Sequence, residues 1–258
     1  RGNMEPSEPH NKTGFVVNGI KSELTTFIHT SLLKVSLVVM TILTVGLAVD
    51  ISRRNNGAIG FSGSLASNSE LTFFFIAFAL SLYIAGSYTK GSVNYTLLSI
   101  PSRFSAYLAS LITSVVISLA FWLVFALIFV VLLLVLSALT SFSVTTDSVA
   151  RELILGVSWA ACMVAIGLVA GGISHLARNV TLSFTLIIVI MLILPMAGAI
   201  LMAMGHDQGN LLLHHSFPFA VDKLTQANAT SLEGLLEVGL WCVVAVACGA
   251  ARLWRYEA

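Results

Sequence analysis

Charge is what this chain has least of. Asp, Glu, Lys and Arg together make up 10% of its 258 residues, against about 25% in soluble domains. The formal net charge is +1, which gives no pull toward nucleic acid or an acidic partner. Its three cysteines, Cys162, Cys242 and Cys248, all fall inside apolar runs and form no CxxC pair. That excludes a secreted disulfide framework, and they read as small buried hydrophobes. A nucleotide-binding loop is also missing. Gly14 to Ser22, GFVVNGIKS, comes close to the phosphate-binding pattern, but Ile20 stands where the lysine is required. The chain is therefore expected to bind no cofactor or metal of its own and to catalyse nothing. His206, Asp207, His214 and His215 are near one another, but they read as interfacial histidines because adjacent histidines on one segment rarely share a metal. Asn228-Ala229-Thr230 matches a glycosylation triplet of the kind that arises by chance.

What is present is apolar sequence, 57% of the chain. A membrane helix needs about 20 such residues. Six stretches qualify: 32–49, 71–88, 105–138, 153–174, 181–204 and 235–252. The third is long, but no Gly, Pro or charge between Leu119 and Leu136 offers a place to turn, so it is expected to be one helix. The middles of all six lack Asp, Glu, Lys, Arg and His. Ion-coupled carriers, voltage sensors and intramembrane proteases place ionisable groups there, so those classes are disfavoured.

With the N-terminus in the cytoplasm, nine basic residues fall inside: Arg1, Lys12, Lys21, Lys34, Lys90, Arg103, Arg178, Arg252 and Arg255. Four fall outside: Arg53, Arg54, Arg151 and Lys223. The bias predicts six spans with both termini cytoplasmic. Residues 1–14 are expected to be a disordered tail, with Arg1-Gly2-Asn3 ahead of Met4 reading as a cloning scar, and 15–258 a single transmembrane domain.

Two further segments are amphipathic. In 15–34 the apolar positions Phe15, Ile20, Leu24, Phe27, Ile28 and Leu32 recur at helical spacing, with Lys21, Glu23 and Lys34 marking the polar side. This predicts a helix lying along the membrane face. In 205–234 the run NLLLHHSFPFAVDKL is apolar, too short to cross, and interrupted by Pro218. It fits either a helix pair dipping into the outer leaflet or an amphipathic surface segment. Two short helices joined near Ser216 to Pro218 are expected.

Residues 88–103 join the second and third spans on the inside. Leu97, Leu98 and Ile100 offer an apolar face, Lys90, Asn94 and Arg103 a polar one, while Gly91 frees a turn and Pro101 stops a helix begun near Ser92. A short helix anchored between two spans is a lever.

At this segment the sequence resembles the permease subunits of type 2 ABC exporters. Tyr88, Gly91, Ser92, Leu97, Leu98, Pro101, Ser102 and Arg103 fit that family's cytoplasmic coupling helix. Ser87 departs where an acidic residue is common, and Ala109-Ser110 where a lysine often begins the third span. GIKSELTTF is similar to the family's interfacial helix, HHSFPFAVDKL to its re-entrant segment, and LWCVVAVACGAARLWRYEA to its final span. The resemblance implies an all-α membrane protein of six transmembrane helices, with an N-terminal interfacial helix, a cytoplasmic coupling helix and an outer re-entrant helical segment. It implies an exporter of an apolar or amphipathic compound in a bacterial cytoplasmic membrane. Two permease chains would pair, and two separate ATPase chains, carrying ATP and Mg, would dock on Tyr88, Lys90, Gly91, Ser92, Tyr95, Leu97, Leu98, Pro101, Ser102 and Arg103. Ser114, Ser118, Phe121 and Trp122 are candidates to line the path, and Leu212, Phe217, Pro218 and Phe219 to build the outer cap. A non-transporting sensor or scaffold subunit and an ion-coupled carrier are the alternatives.

Overall fold

The structure, a computed structural model, describes residues 12–31, scattered positions between 34 and 46, and residues 58–60, 69–89, 103–139, 143–145, 149–225 and 232–255. Helices follow the apolar runs: α1 is Lys12–His29, α2 Ser69–Thr89, α3 Arg103–Leu139 and α4 Val149–Ala177. α5 (Val180–Ile188) passes through a π-turn, Val189–Ile193, into α6 (Leu194–Ala203). α7 (Asp207–His214), α8 (Phe217–Thr225) and α9 (Leu232–Trp254) follow. The described positions between 34 and 46 are helical.

Local chemistry explains the breaks. With nothing to turn on between Leu119 and Leu136, α3 runs unbroken. Arg178 takes a left-handed φ of 53°, and Asn179 caps α5 by accepting from the Thr181 N–H at 2.8 Å. Those two residues reverse the chain between α4 and α5. Pro195 has no N–H to give and its ring crowds the preceding turn. The helix widens just before it, where the Leu194 N–H reaches the Val189 carbonyl five residues back.

Four helical stretches are long and apolar enough to cross a membrane: Arg103–Leu132, Ile154–Ala177, Val180–Ala203 and Leu232–Trp254. They lie on four of the six expected stretches and are helices of a membrane-embedded protein by length and composition. Thr72–Tyr88 is a shorter apolar helix on the second stretch. Half of the first, 32–49, falls outside the described residues. One small non-helical feature is added to the all-helical architecture. β1 (Ala58–Gly60) pairs in parallel with β2 (Ser143–Thr145), with Ile59 opposite Val144. The segments before α2 and after α3 therefore meet at one end of the bundle.

α4 is the central helix, packed against α2, α3, α5, α8 and α9. Around it Phe27, Ile76, Phe121, Phe125, Trp159, Ile166 and Phe217 form one apolar core. α4 crosses α9 closely: a Cβ on Gly172 would stand 2.4 Å from the Ala245 carbonyl oxygen. Such crossings need small residues because lipid chains offer no hydrophobic drive to force helices together. The outward faces of α5, α6 and α9 remain apolar, with Leu182, Ile193, Ile200, Leu240 and Val243 exposed.

The segment after α6 folds as the expected pair of short helices, broken at His215-Ser216. α7 turns back along α6 after Gly205, whose φ is +83°. Gly209 lies so close to α6 that a Cβ there would be 2.3 Å from the Met202 nitrogen. α8 then tucks against α4 and α9 and buries Phe217 fully. Leu212, Pro218 and Phe219 are half-buried.

Two side-chain expectations are corrected, and two candidate path residues are placed. The inward face of α1 carries Gly19, Glu23 and Phe27, so Glu23 is not on the polar side, and Ile28 is 52% exposed. Cys162 is fully buried, but Cys242 is half-buried and Cys248 exposed. Phe121 belongs to the core, with Trp122 packed against it.

A polar junction as the candidate functional site

Polar side chains gather where α2, α3, α4 and α9 meet at the end opposite the strands. His175, in the last turn of α4, is buried. Its Nδ1 meets the Tyr88 hydroxyl at 2.5 Å and its Nε2 meets the Ser110 hydroxyl at 3.0 Å. A neutral ring satisfies both, one nitrogen donating and the other accepting. Tyr107 stands edge-on to the same ring, centroids 4.9 Å apart, and its hydroxyl donates to the Val246 carbonyl of α9 at 2.7 Å. Arg178 completes the junction. Its guanidinium donates to the Arg252 carbonyl of α9 at 2.6 Å and stands 5.9 Å from the centre of the Tyr88 ring.

A second knot lies deeper. The Ser183 hydroxyl of α5 meets Ser81 of α2 at 2.6 Å and Ser174 of α4 at 3.0 Å. Hydroxyls fit here because each has a partner, Ser174 also donating to the Ala170 carbonyl of its own helix, where an unpaired polar group would be costly. Together the knots tie the helix ends that flank residues 90–102, the stretch singled out in the sequence. Tyr88 closes α2, and Arg103 opens α3 one turn before Tyr107. Lys90, Gly91, Ser92, Tyr95, Leu97, Leu98, Pro101 and Ser102 lie outside the described residues.

The candidate path residues are placed differently from one another. Ser114 and Ser118 are buried between α3 and α4. Ser114 donates to its own helix at Ser110, and the Ser118 hydroxyl reaches the Met163 carbonyl of α4 at 2.8 Å. In this conformation Ser118 ties the two helices and Ser114 packs at their contact, and facing a path would require α3 and α4 to part. His175 was missed in the sequence because it stands just past the apolar stretch that ends at 174. Its only signal was a histidine directly before a basic turn.

A third cluster sits at the opposite end. Lys223 of α8 donates to Glu237 at 2.9 Å and to Glu233 at 3.0 Å, both on α9. His215 meets Glu237 at 2.9 Å, and the Trp241 indole donates to the His215 carbonyl at 3.1 Å. Desolvation works to lower the Lys223 ammonium's pKa, and the hydrogen bonds and charges of Glu237 and Glu233 outweigh it, leaving it above the ordinary lysine value. This cluster is a clasp between α8 and α9.

No family model matches the chain, and no curated protein does either.

Proposed function

We propose that this chain is the transmembrane subunit of an ATP-driven exporter for an apolar or amphipathic compound, such as a drug, an antibiotic peptide or a lipid-linked molecule. It has six spans, with both termini and the polar junction on the cytoplasmic side of a bacterial membrane. A second permease chain completes the path, and two separate ATPase chains, which bind ATP and Mg, grip residues 88–103. One observation supports this reading most. Tyr88 and the start of α3, which bracket that segment, are joined to α4 through His175 and to α9 through Tyr107. A push on the segment therefore reaches four helices at once. ATP binding would shift an equilibrium between two arrangements of the bundle.

The test is Leu98→Asp or Tyr95→Asp, each placing an unpaired charge in the ATPase groove at a cost of several kcal/mol, roughly. The ATPase should no longer co-purify, or should hydrolyse without transport, while substrate affinity stays near wild type. Lys90→Ala should be milder because an exposed charge contributes little. Full ATPase binding and transport in both Asp variants would remove the reading. The buried Glu23 favours a second reading, an ion-coupled carrier. Transport that stops with a protonophore but survives ATP depletion would select it.

A further inference from the structure

The docked face of α1 contains an acid. Glu23 stands between Gly19 and Phe27 on the side turned to α2 and α3. The helix is held there by specific contacts. Tyr83 of α2 donates to the Glu23 backbone carbonyl at 2.8 Å. The Phe27 ring lies edge-on to Tyr83, centroids 4.8 Å apart, and to Phe121 of α3 at 6.1 Å. The Glu23 carboxyl meets the Thr113 hydroxyl of α3, and its other oxygen, Oε2, is buried with no hydrogen-bond partner.

That arrangement suits a neutral acid. The Thr113 hydroxyl has one proton, and it lies 2.8 Å from the Ala109 carbonyl. That one proton is shared between the Ala109 carbonyl and the Glu23 carboxyl, so the acid has a single, divided donor and its second oxygen has none. Among the described residues, the groups facing Glu23 are the Tyr83 phenol from α2 and the Thr113 hydroxyl from α3. No cation is among them, and Lys21 and His29 of α1 are on its exposed face. A carboxylate half-buried here would have no counter-charge among the described residues, and its Oε2 no water or donor.

We propose that Glu23 is a proton-operated latch: α1 docks on α2 and α3 with Glu23 protonated, and loss of that proton releases the helix. Burial raises the docked carboxyl from 4.5 to about 7, against the opposing pull of the Thr113 hydrogen bond. The folded value lies above the free one, so docking is strongest below pH 4.5, weakens as pH rises through 7, and levels off above.

Hydrogen exchange of residues 18–30 in the intact chain, in nanodiscs, tests this, with exchange times scaled for the intrinsic effect of pH. Protection of α1 relative to α4 should fall about 30-fold between pH 5.5 and 8.5. Glu23→Gln should keep α1 protected at both values. A wild-type α1 whose relative protection does not change with pH overturns the proposal without any variant. So does a Glu23→Gln chain that loosens as wild type does. Tyr83→Phe removes the hydroxyl bond without touching the carboxyl, and should loosen α1 at every pH while keeping the pH dependence. If the dependence vanishes instead, the Glu23 carboxyl is not what releases α1, and the proposal fails.

Discussion

A side chain at position 172 has nowhere to go. The nearest atoms to a Cβ there are backbone, the Ala245 carbonyl at 2.4 Å and the Val246 nitrogen at 2.9 Å, and neither belongs to a flexible side chain that could give way. Gly172→Val should therefore pry α4 from α9 at a cost of about 3 kcal/mol or more. Thermal unfolding in detergent should show a lower midpoint, and the junction that Tyr107 and Arg178 build across the same crossing should loosen with it. Gly239 on α9 has nothing within 4 Å of its Cβ position, so Gly239→Ala should be neutral or slightly stabilising, by about 1 kcal/mol at most. The sequence alone could not separate these two glycines, because both stand in apolar helical runs and only the crossing distinguishes them. Arg178 teaches the same lesson. A left-handed residue after a helix is usually glycine. Here an arginine occupies it, and its guanidinium reaches the Arg252 carbonyl of α9, 74 residues away.

Helix positions were legible because unbroken apolar runs leave the backbone no other way to satisfy itself in lipid. Helix faces were less so. Periodicity on α1 assigned Glu23 to the polar side, since a lone acid on an apolar face is not expected. Gly19, one turn earlier, is buried on the same face. The clasp was equally hidden, because nothing in the sequence pairs Lys223 with Glu233 and Glu237, two acids near the start of the sixth apolar stretch. Within it Glu237 matters more: its side chain is 13% exposed and that of Glu233 72%. Glu237→Gln should loosen the α8–α9 pairing by about 1 kcal/mol, whereas Glu233→Gln should change little. The lysine side of the clasp has its own pH window. The Lys223 pKa is raised on folding, so its contribution is complete below the ordinary lysine value of 10.5 and fades only as pH climbs through the higher folded one. Protection of residues 217–225, scaled for the intrinsic effect of pH on exchange, should thus stay level from pH 5.5 to 8.5, the interval in which α1 is expected to let go.

Orientation belongs to the molecule as a whole. The β1–β2 pairing brings the segments before α2 and after α3 together, so the chain between them travels away and returns. The reversal at Arg178-Asn179 lies at the far end with Tyr88 and Arg252, and the turn at Met204-Gly205 lies back at the near end. Arg103, Arg178, Arg252 and Arg255 consequently share one end, and Lys223, the cation of α8, is at the other, tied to two acids. Basic residues are retained on the cytoplasmic side during insertion, so the end carrying the polar junction should face the cytoplasm. Single cysteines at Met204 and Arg255 test this in intact cells, with Cys248 replaced beforehand because it is exposed on α9. Met204→Cys, on a turn that is 66% exposed, should react with an impermeant maleimide directly. Arg255→Cys should react only after the membrane is permeabilised. The reverse pattern would turn the molecule over and put residues 88–103 outside the cell, where no ATPase could grip them. Labelling of both from outside would mean that α9 does not cross, and the even count of spans would fail with it.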